Sequence, residues 1–244
     1  MKPTESDIAI ATEIINRLMS KGLKYAISYQ SDEDDDDDED MCEDYSYNWD
    51  EWRWDNEGFL SENGIKAASG ETKVCFIVPE LKNWVIKVGF LRKTSRYYSK
   101  YHLDMDFCKL EADYYAEAEE QEMETYFAAT YYAGTVNEVP FFLQEYATID
   151  PTLFENKFNI YGKSLSKYHH SNSSSSSSDS SSSDYNYYGD DLTLEERIKA
   201  VFGEDTEELI DFVEEHEIND LHEYNWGTAA DGRYIMIDFS GYKG

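Results

Sequence analysis

Two tracts that bury nothing divide this chain before any element can be assigned. Asp32 to Asp40 is a run of nine consecutive acidic residues, and His169 to Asp184 holds eleven serines between Ser171 and Ser183. A block of like charge repels itself and stays hydrated, and a polar low-complexity run buries too little surface to offset its ordering entropy. A core must therefore come from three stretches: an N-terminal helical segment over residues 1–30, a middle segment over 45–147 and a C-terminal segment over 148–244. Residues 31–44 read as an acidic disordered linker, and 169–189 as a disordered serine-rich insertion in the C-terminal segment.

Charge excludes some functions. The chain has 52 Asp and Glu against 21 Lys and Arg, a formal net charge of -31. This balance works against direct nucleic-acid binding through a basic face and against anchoring on anionic lipid. It also makes a Lys in an apolar context informative. The apolar fraction of 41% and aromatic fraction of 16% suffice for a core at this length. No apolar segment reaches bilayer length, and Met1-Lys2-Pro3-Thr4-Glu5 lacks the apolar centre of a signal peptide. Cys42, Cys75 and Cys108 have no metal-type spacing, and the His residues are scattered apart from His169-His170. A reducing, cytoplasmic setting without zinc is the expectation.

The chemistry-bearing residues gather in the last 27 positions, Ile218 to Gly244. Asn225 follows Asp220 by five residues, and Asp238 follows thirteen later. The Asp231-Gly232 turn and the run Tyr234-Ile235-Met236-Ile237 predict a hairpin whose second strand ends at Asp238. That returns Asp238 beside the loop carrying Asp220 and Asn225. Such a set suits phosphoryl transfer, in which one carboxylate orients a hydroxyl while hard oxygen ligands hold magnesium against a triphosphate.

On these residues the chain resembles the protein-kinase-like superfamily. Asp220-Leu221-x-x-x-Asn225 is similar to its catalytic loop, and Asp238-Phe239-Ser240-Gly241 to its Asp-Phe-Gly motif with one residue inserted. The Asp220-Leu221-His222 and Ile237-Asp238-Phe239 contexts are closer to aminoglycoside and choline kinases, and the whole resembles the short kinase-like proteins of tailed phages. Asn83-Trp84-Val85-Ile86-Lys87-Val88 resembles the strand whose Lys grips phosphates, and Val139 to Ala147 resembles the strand that runs into the adenine hinge.

The resemblance implies an α+β fold, a minimal protein-kinase-like architecture with an antiparallel small lobe over 45–147 and a truncated, mainly helical large lobe over 148–244. It implies ATP and Mg2+ as cofactors. Asp220 would be the base or hydroxyl-orienting group, Lys87 the phosphate grip, Glu111 its ion-pair partner with Glu117 as the alternative, and Asn225 and Asp238 the metal ligands. Nucleotide contacts would come from Ser69, Gly70 and Thr72 in a loop with a single glycine, from Gln144 at the gatekeeper position, and from the main chain of Glu145 and Ala147. Ile218-Asn219 stands where the family has His-Arg, and the chain stops six residues after Asp238, so no peptide platform or activation-loop phosphate control is expected.

Several elements are read from pattern alone. Residues 4–20 form an amphipathic helix with Ile8, Ala11, Ile15, Leu18 and Met19 on one face, suited either to packing on the main domain or to a protein partner. Trp49, Trp52 and Trp54 form an aromatic patch over the first strands, or an aromatic cage. Strands are expected over Lys73–Val78 and Trp84–Phe90, a helix over 104–124, and a hairpin across Asn137-Glu138. Thr193-x-x-Glu196 and Asp205-x-x-Glu208 each open a helix. Three functions fit: an ATP- and Mg2+-dependent phosphotransferase with unknown acceptor, an inactive pseudokinase that binds a protein partner, and an acidic mimic of nucleic acid that blocks DNA-binding proteins.

Overall fold

The computed structural model describes residues 1–28, 49–70, 72–91, 106–158, 192–218 and 220–240. The acidic run and the serine-rich tract lie outside these residues. Thr4 opens the first helix, α1 (Glu5–Ser20), with a capping box. Its hydroxyl accepts from the Asp7 N–H at 3.2 Å, and the Asp7 carboxylate accepts from the Thr4 N–H at 2.8 Å. Gly22, at φ +89°, turns the chain into α2 (Leu23–Ser28). The α1 face made of Ala11, Ile14, Ile15, Leu18 and Met19 is buried, so the helix packs on the domain.

The Trp-rich stretch is helical: α3 (Trp49–Asp55) and α4 (Glu57–Glu62). The i, i+3 spacing of Trp49 and Trp52 puts both on one helix face. Their rings stack at 5.2 Å and meet Phe76 edge-on at 6.0 and 6.4 Å. Stacked rings leave no cage between them, and Trp54 is 78 % exposed on the other side.

Five strands follow: β1 (Lys66–Ser69), β2 (Lys73–Ile77), β3 (Trp84–Gly89), β4 (Thr130–Val136) and β5 (Val139–Glu145). They form an antiparallel sheet in the order β1-β2-β3-β5-β4, with helix α5 (Phe107–Glu120) inserted between β3 and β4. Asp106 caps α5 by accepting from the Cys108 and Lys109 N–H groups. The β4–β5 turn has positive φ at both Asn137 and Glu138, the backbone twist that tight hairpins need.

Register decides which face each side chain takes. Cys75 stands opposite Lys87, Lys73 opposite Gly89, and Gln144 opposite Val85. By strand alternation Lys73, Cys75, Lys87 and Gln144 share the face that α5 covers. Val74, Phe76, Ile86, Val88 and Leu143 take the other face, the one Trp49 and Trp52 close.

The C-terminal part holds α6 (Pro151–Phe158), α7 (Leu194–Phe202) and α8 (Glu207–Glu215). The Thr193–Glu196 capping box forms, but α8 begins after Thr206 rather than Asp205, and no side chain caps it. Beside these helices, which hold most of its helix and strand residues, a small second antiparallel sheet joins β6 (Ala147–Thr148), β7 (Trp226–Ala229) and β8 (Tyr234–Met236). The turn at Asp231-Gly232 is where the sequence places it, though the last strand ends at Met236, two residues short of Asp238. Gly227 is required by close packing: a Cβ there would lie 2.6 Å from the Ala147 Cβ. The two sheets share one apolar core, in which Phe127 meets Phe212 at 5.4 Å and Phe239 at 5.1 Å. Among the described residues, no helix is long and apolar enough to cross a membrane.

Candidate active site

Lys87 stands on the middle strand of the five-stranded sheet and is 4 % exposed. A buried ammonium needs a counter-charge. Glu111, fully buried on α5, supplies it, with Oε2 at 2.8 Å from Lys87 Nζ. The other Glu111 oxygen, Oε1, is 2.6 Å from Nζ of a second buried lysine, Lys73. Gln144 completes the shell by donating to Glu111 Oε2 at 3.3 Å and to Thr130 Oγ1 at 2.9 Å. Glu117, the alternative partner for Lys87, pairs with His216 instead at 3.0 Å.

Lys73 reaches further. Its Nζ lies 2.6 Å from Asp238 Oδ1 and 3.1 Å from Ser240 Oγ. Lys73, Lys87, Glu111 and Asp238 thus form a cluster with two charges of each sign. Burial, the largest influence on Lys73, disfavours its ammonium, yet Asp238 and Glu111 outweigh it and hold its pKa well above the ordinary lysine value. Burial likewise opposes the Asp238 carboxylate, and Lys73 and Lys87 prevail, holding it well below the usual range. Burial pushes up the thiols of Cys75 and Cys108, which flank the cluster, so neither is a ready nucleophile.

The main chain of Ile237 joins this cluster to the loop of Asp220 and Asn225. Its N–H donates to the Asn225 carbonyl at 2.9 Å, and its carbonyl accepts from Lys87 at 2.8 Å. Asn225, 6 % exposed at the end of a 3-10 turn, donates its amide N–H to the Asp220 carbonyl, which leaves the amide oxygen out of that bond. Leu221 is fully buried, and its carbonyl accepts from Arg197 at 2.7 Å. The neighbouring Asp220 carboxylate is 42 % exposed, with His222 Nε2 at 3.8 Å. Asp220 is therefore half-exposed beside the anchored Leu221, and the buried Phe239 anchors the chain next to Asp238.

The expected phosphate loop differs from its sequence reading. The Gly70 N–H closes the β1–β2 turn on the Lys73 carbonyl at 3.0 Å, and Thr72 is 8 % exposed, which leaves Ser69 as the open member of the three. At the hinge, the Glu145 N–H is taken by the Ala129 carbonyl at 2.7 Å, limiting its main-chain contribution to the carbonyl. Its carboxylate pairs with Arg233 at 2.9 Å. Ala147 pairs with Ala229 in the second sheet.

Sequence reasoning passes over Lys73 and Ser240. The available signal was alternation, since Lys73 sits two residues before Cys75 and so on the face of Lys87. Among the described residues, no group of three His, Cys, Asp or Glu is set to hold a metal. Asn225 and Asp238 offer hard oxygen atoms of the kind magnesium takes, and their main chains are tied through Ile237, while Asp238 Oδ1 is engaged by Lys73. No protein-family model, no curated protein and no solved structure matches this chain.

Proposed function

We propose that the chain is a minimal kinase-like, Mg2+-dependent phosphotransferase that uses ATP. The observation that carries this is the Ile237 main chain, which accepts from Lys87 of the Lys87–Glu111 pair and donates to the Asn225 carbonyl, a link that supports reading Asn225 and Asp238 as the metal-type residues of the same site. The order β1-β2-β3-β5-β4 with a helix between β3 and β4 supports the same reading, because it is what lets a helix carboxylate reach the third-strand lysine.

In this reading Glu111 fixes the Lys87 ammonium, which binds phosphate oxygens as a preorganised charge. Asn225 and Asp238 would hold magnesium, which when bound neutralises charge on the phosphates. Asp220 orients the acceptor hydroxyl and accepts its proton, a role suited to a carboxylate open to solvent. The test is Asp220→Asn, assayed for ADP formation and for nucleotide binding in parallel. Loss of turnover with binding kept supports the assignment; turnover that persists overturns it.

A pseudokinase that binds a protein partner is the second reading. The Lys73–Asp238 ion pair favours it, since it engages a metal-type carboxylate. Nucleotide binding without any Asp220-dependent turnover is its expected outcome.

A further inference from the structure

Lys73 is the part of the cluster that the functional reading does not use. It projects from β2, just beyond the β1–β2 turn, and is 4 % exposed. Its three contacts are Glu111 Oε1 at 2.6 Å, Asp238 Oδ1 at 2.6 Å and Ser240 Oγ at 3.1 Å. Glu111 already faces Lys87 through its other oxygen, so either lysine can lose its second contact and still have a counter-charge. Asp238 is different: Lys73 is its ion-pair partner, and its side chain is 42 % exposed.

We propose that Lys73 is a counter-ion lock on the metal position. Its ammonium stands at Asp238 where a divalent cation would be held, and moves onto nucleotide phosphate when nucleotide and metal enter together. This rests on the nucleotide-binding reading above.

The reason is charge. The four charged groups, three of them buried and Asp238 half-exposed, sum to zero. An ammonium in contact with Oδ1 and a divalent cation on the same carboxylate repel each other at this short range, the more so because the lysine itself is buried. Metal entering alone would leave two extra positive charges among buried lysines. Metal entering with a polyphosphate brings compensating negative charge, and that phosphate gives Lys73 a new partner. The lock therefore makes metal binding conditional on nucleotide. It also gives the chain a phosphate-facing cation on β2, beside a turn with a single glycine whose N–H is already engaged.

The test is Mn2+ binding to the full chain followed by electron paramagnetic resonance, with and without ADP, in the wild type, Lys73→Met, Asp238→Asn and the double variant. Asp238→Asn subtracts the diffuse binding expected of so acidic a chain. The expected result has two parts. Without ADP, Lys73→Met gains an Mn2+ site at least about tenfold tighter than any in the wild type, and the gain vanishes in the double variant. With ADP, the wild type shows a site that depends on Asp238. Should Lys73→Met fail to fold, Lys73→Gln is judged by the same criterion. No gain in nucleotide-free affinity overturns the lock. If ADP also creates no Asp238-dependent site in the wild type, the nucleotide reading falls with it; if ADP does create one, only the lock falls.

Discussion

Lys73 and Asp238, 165 residues apart in sequence, meet at 2.6 Å, with the lysine buried and the carboxylate half-open to solvent. The contact ties the second strand of the first sheet to the segment after the last strand of the second. The first sheet and the C-terminal segment are thereby committed to one electrostatic cluster, and its members are coupled in stability as well as in function.

Glu111 is the member on which the others depend. Glu111→Ala leaves Lys73 and Lys87 buried with too few counter-charges. Removing one partner from a buried pair typically costs about 3–5 kcal/mol. Urea unfolding should show a loss of this size, while Glu117→Ala, which breaks a half-exposed contact with His216, should cost far less.

The Trp-rich helix gives a second test, independent of the cluster. Trp52 is fully buried, stacks on Trp49 and donates its indole N–H to the Lys21 carbonyl at 2.8 Å. Trp52→Ala should destabilise by about 3–5 kcal/mol. Trp54→Ala, at a position 78 % exposed, should stay within about 0.5 kcal/mol of the wild type.

The pH dependence of stability follows from the two shifted groups. The folded-state pKa of Asp238 is depressed, so its contribution is present above the unfolded carboxylate value of about 3.9 and is lost as pH falls through the lower folded value. That of Lys73 is raised, so its contribution is complete below the unfolded lysine value of about 10.4 and is lost as pH rises through the higher folded one. The stability gap between wild type and Asp238→Asn should be flat from pH 5 to 9 and narrow progressively below about pH 4. A gap that widens on acidification would contradict the pairing.

How far the sequence foretells this arrangement depends on the range of each interaction. Local signals read well: the Thr4 and Thr193 caps, the Asn137-Glu138 turn and the β2, β3 and α5 segments are set by residues within a few positions of each other. The Glu111–Lys87 contact was legible only through a family resemblance, since nothing within 24 residues links them. Alternation places Lys73 on the same sheet face as Cys75, but its role as a buried cation was not legible, because what holds it is a carboxylate on α5 and another near the last described residue. The helicity of Trp49–Asp55 was hidden because Trp is a weak helix former that favours strands, although the i, i+3 spacing of its two buried rings is helical. Thr206 displaced Asp205 as the α8 boundary residue in the same way, through backbone geometry that composition does not encode.

Thermal unfolding with and without ATP and Mg2+, on the wild type and Asp238→Asn, tests the central claim most directly. At a nucleotide concentration about a hundred times Kd, binding should add about 2.7 kcal/mol. The account predicts a rise in Tm of several degrees that requires both ATP and Mg2+ and is lost in Asp238→Asn. No shift in either protein, or an equal shift in both, would contradict it.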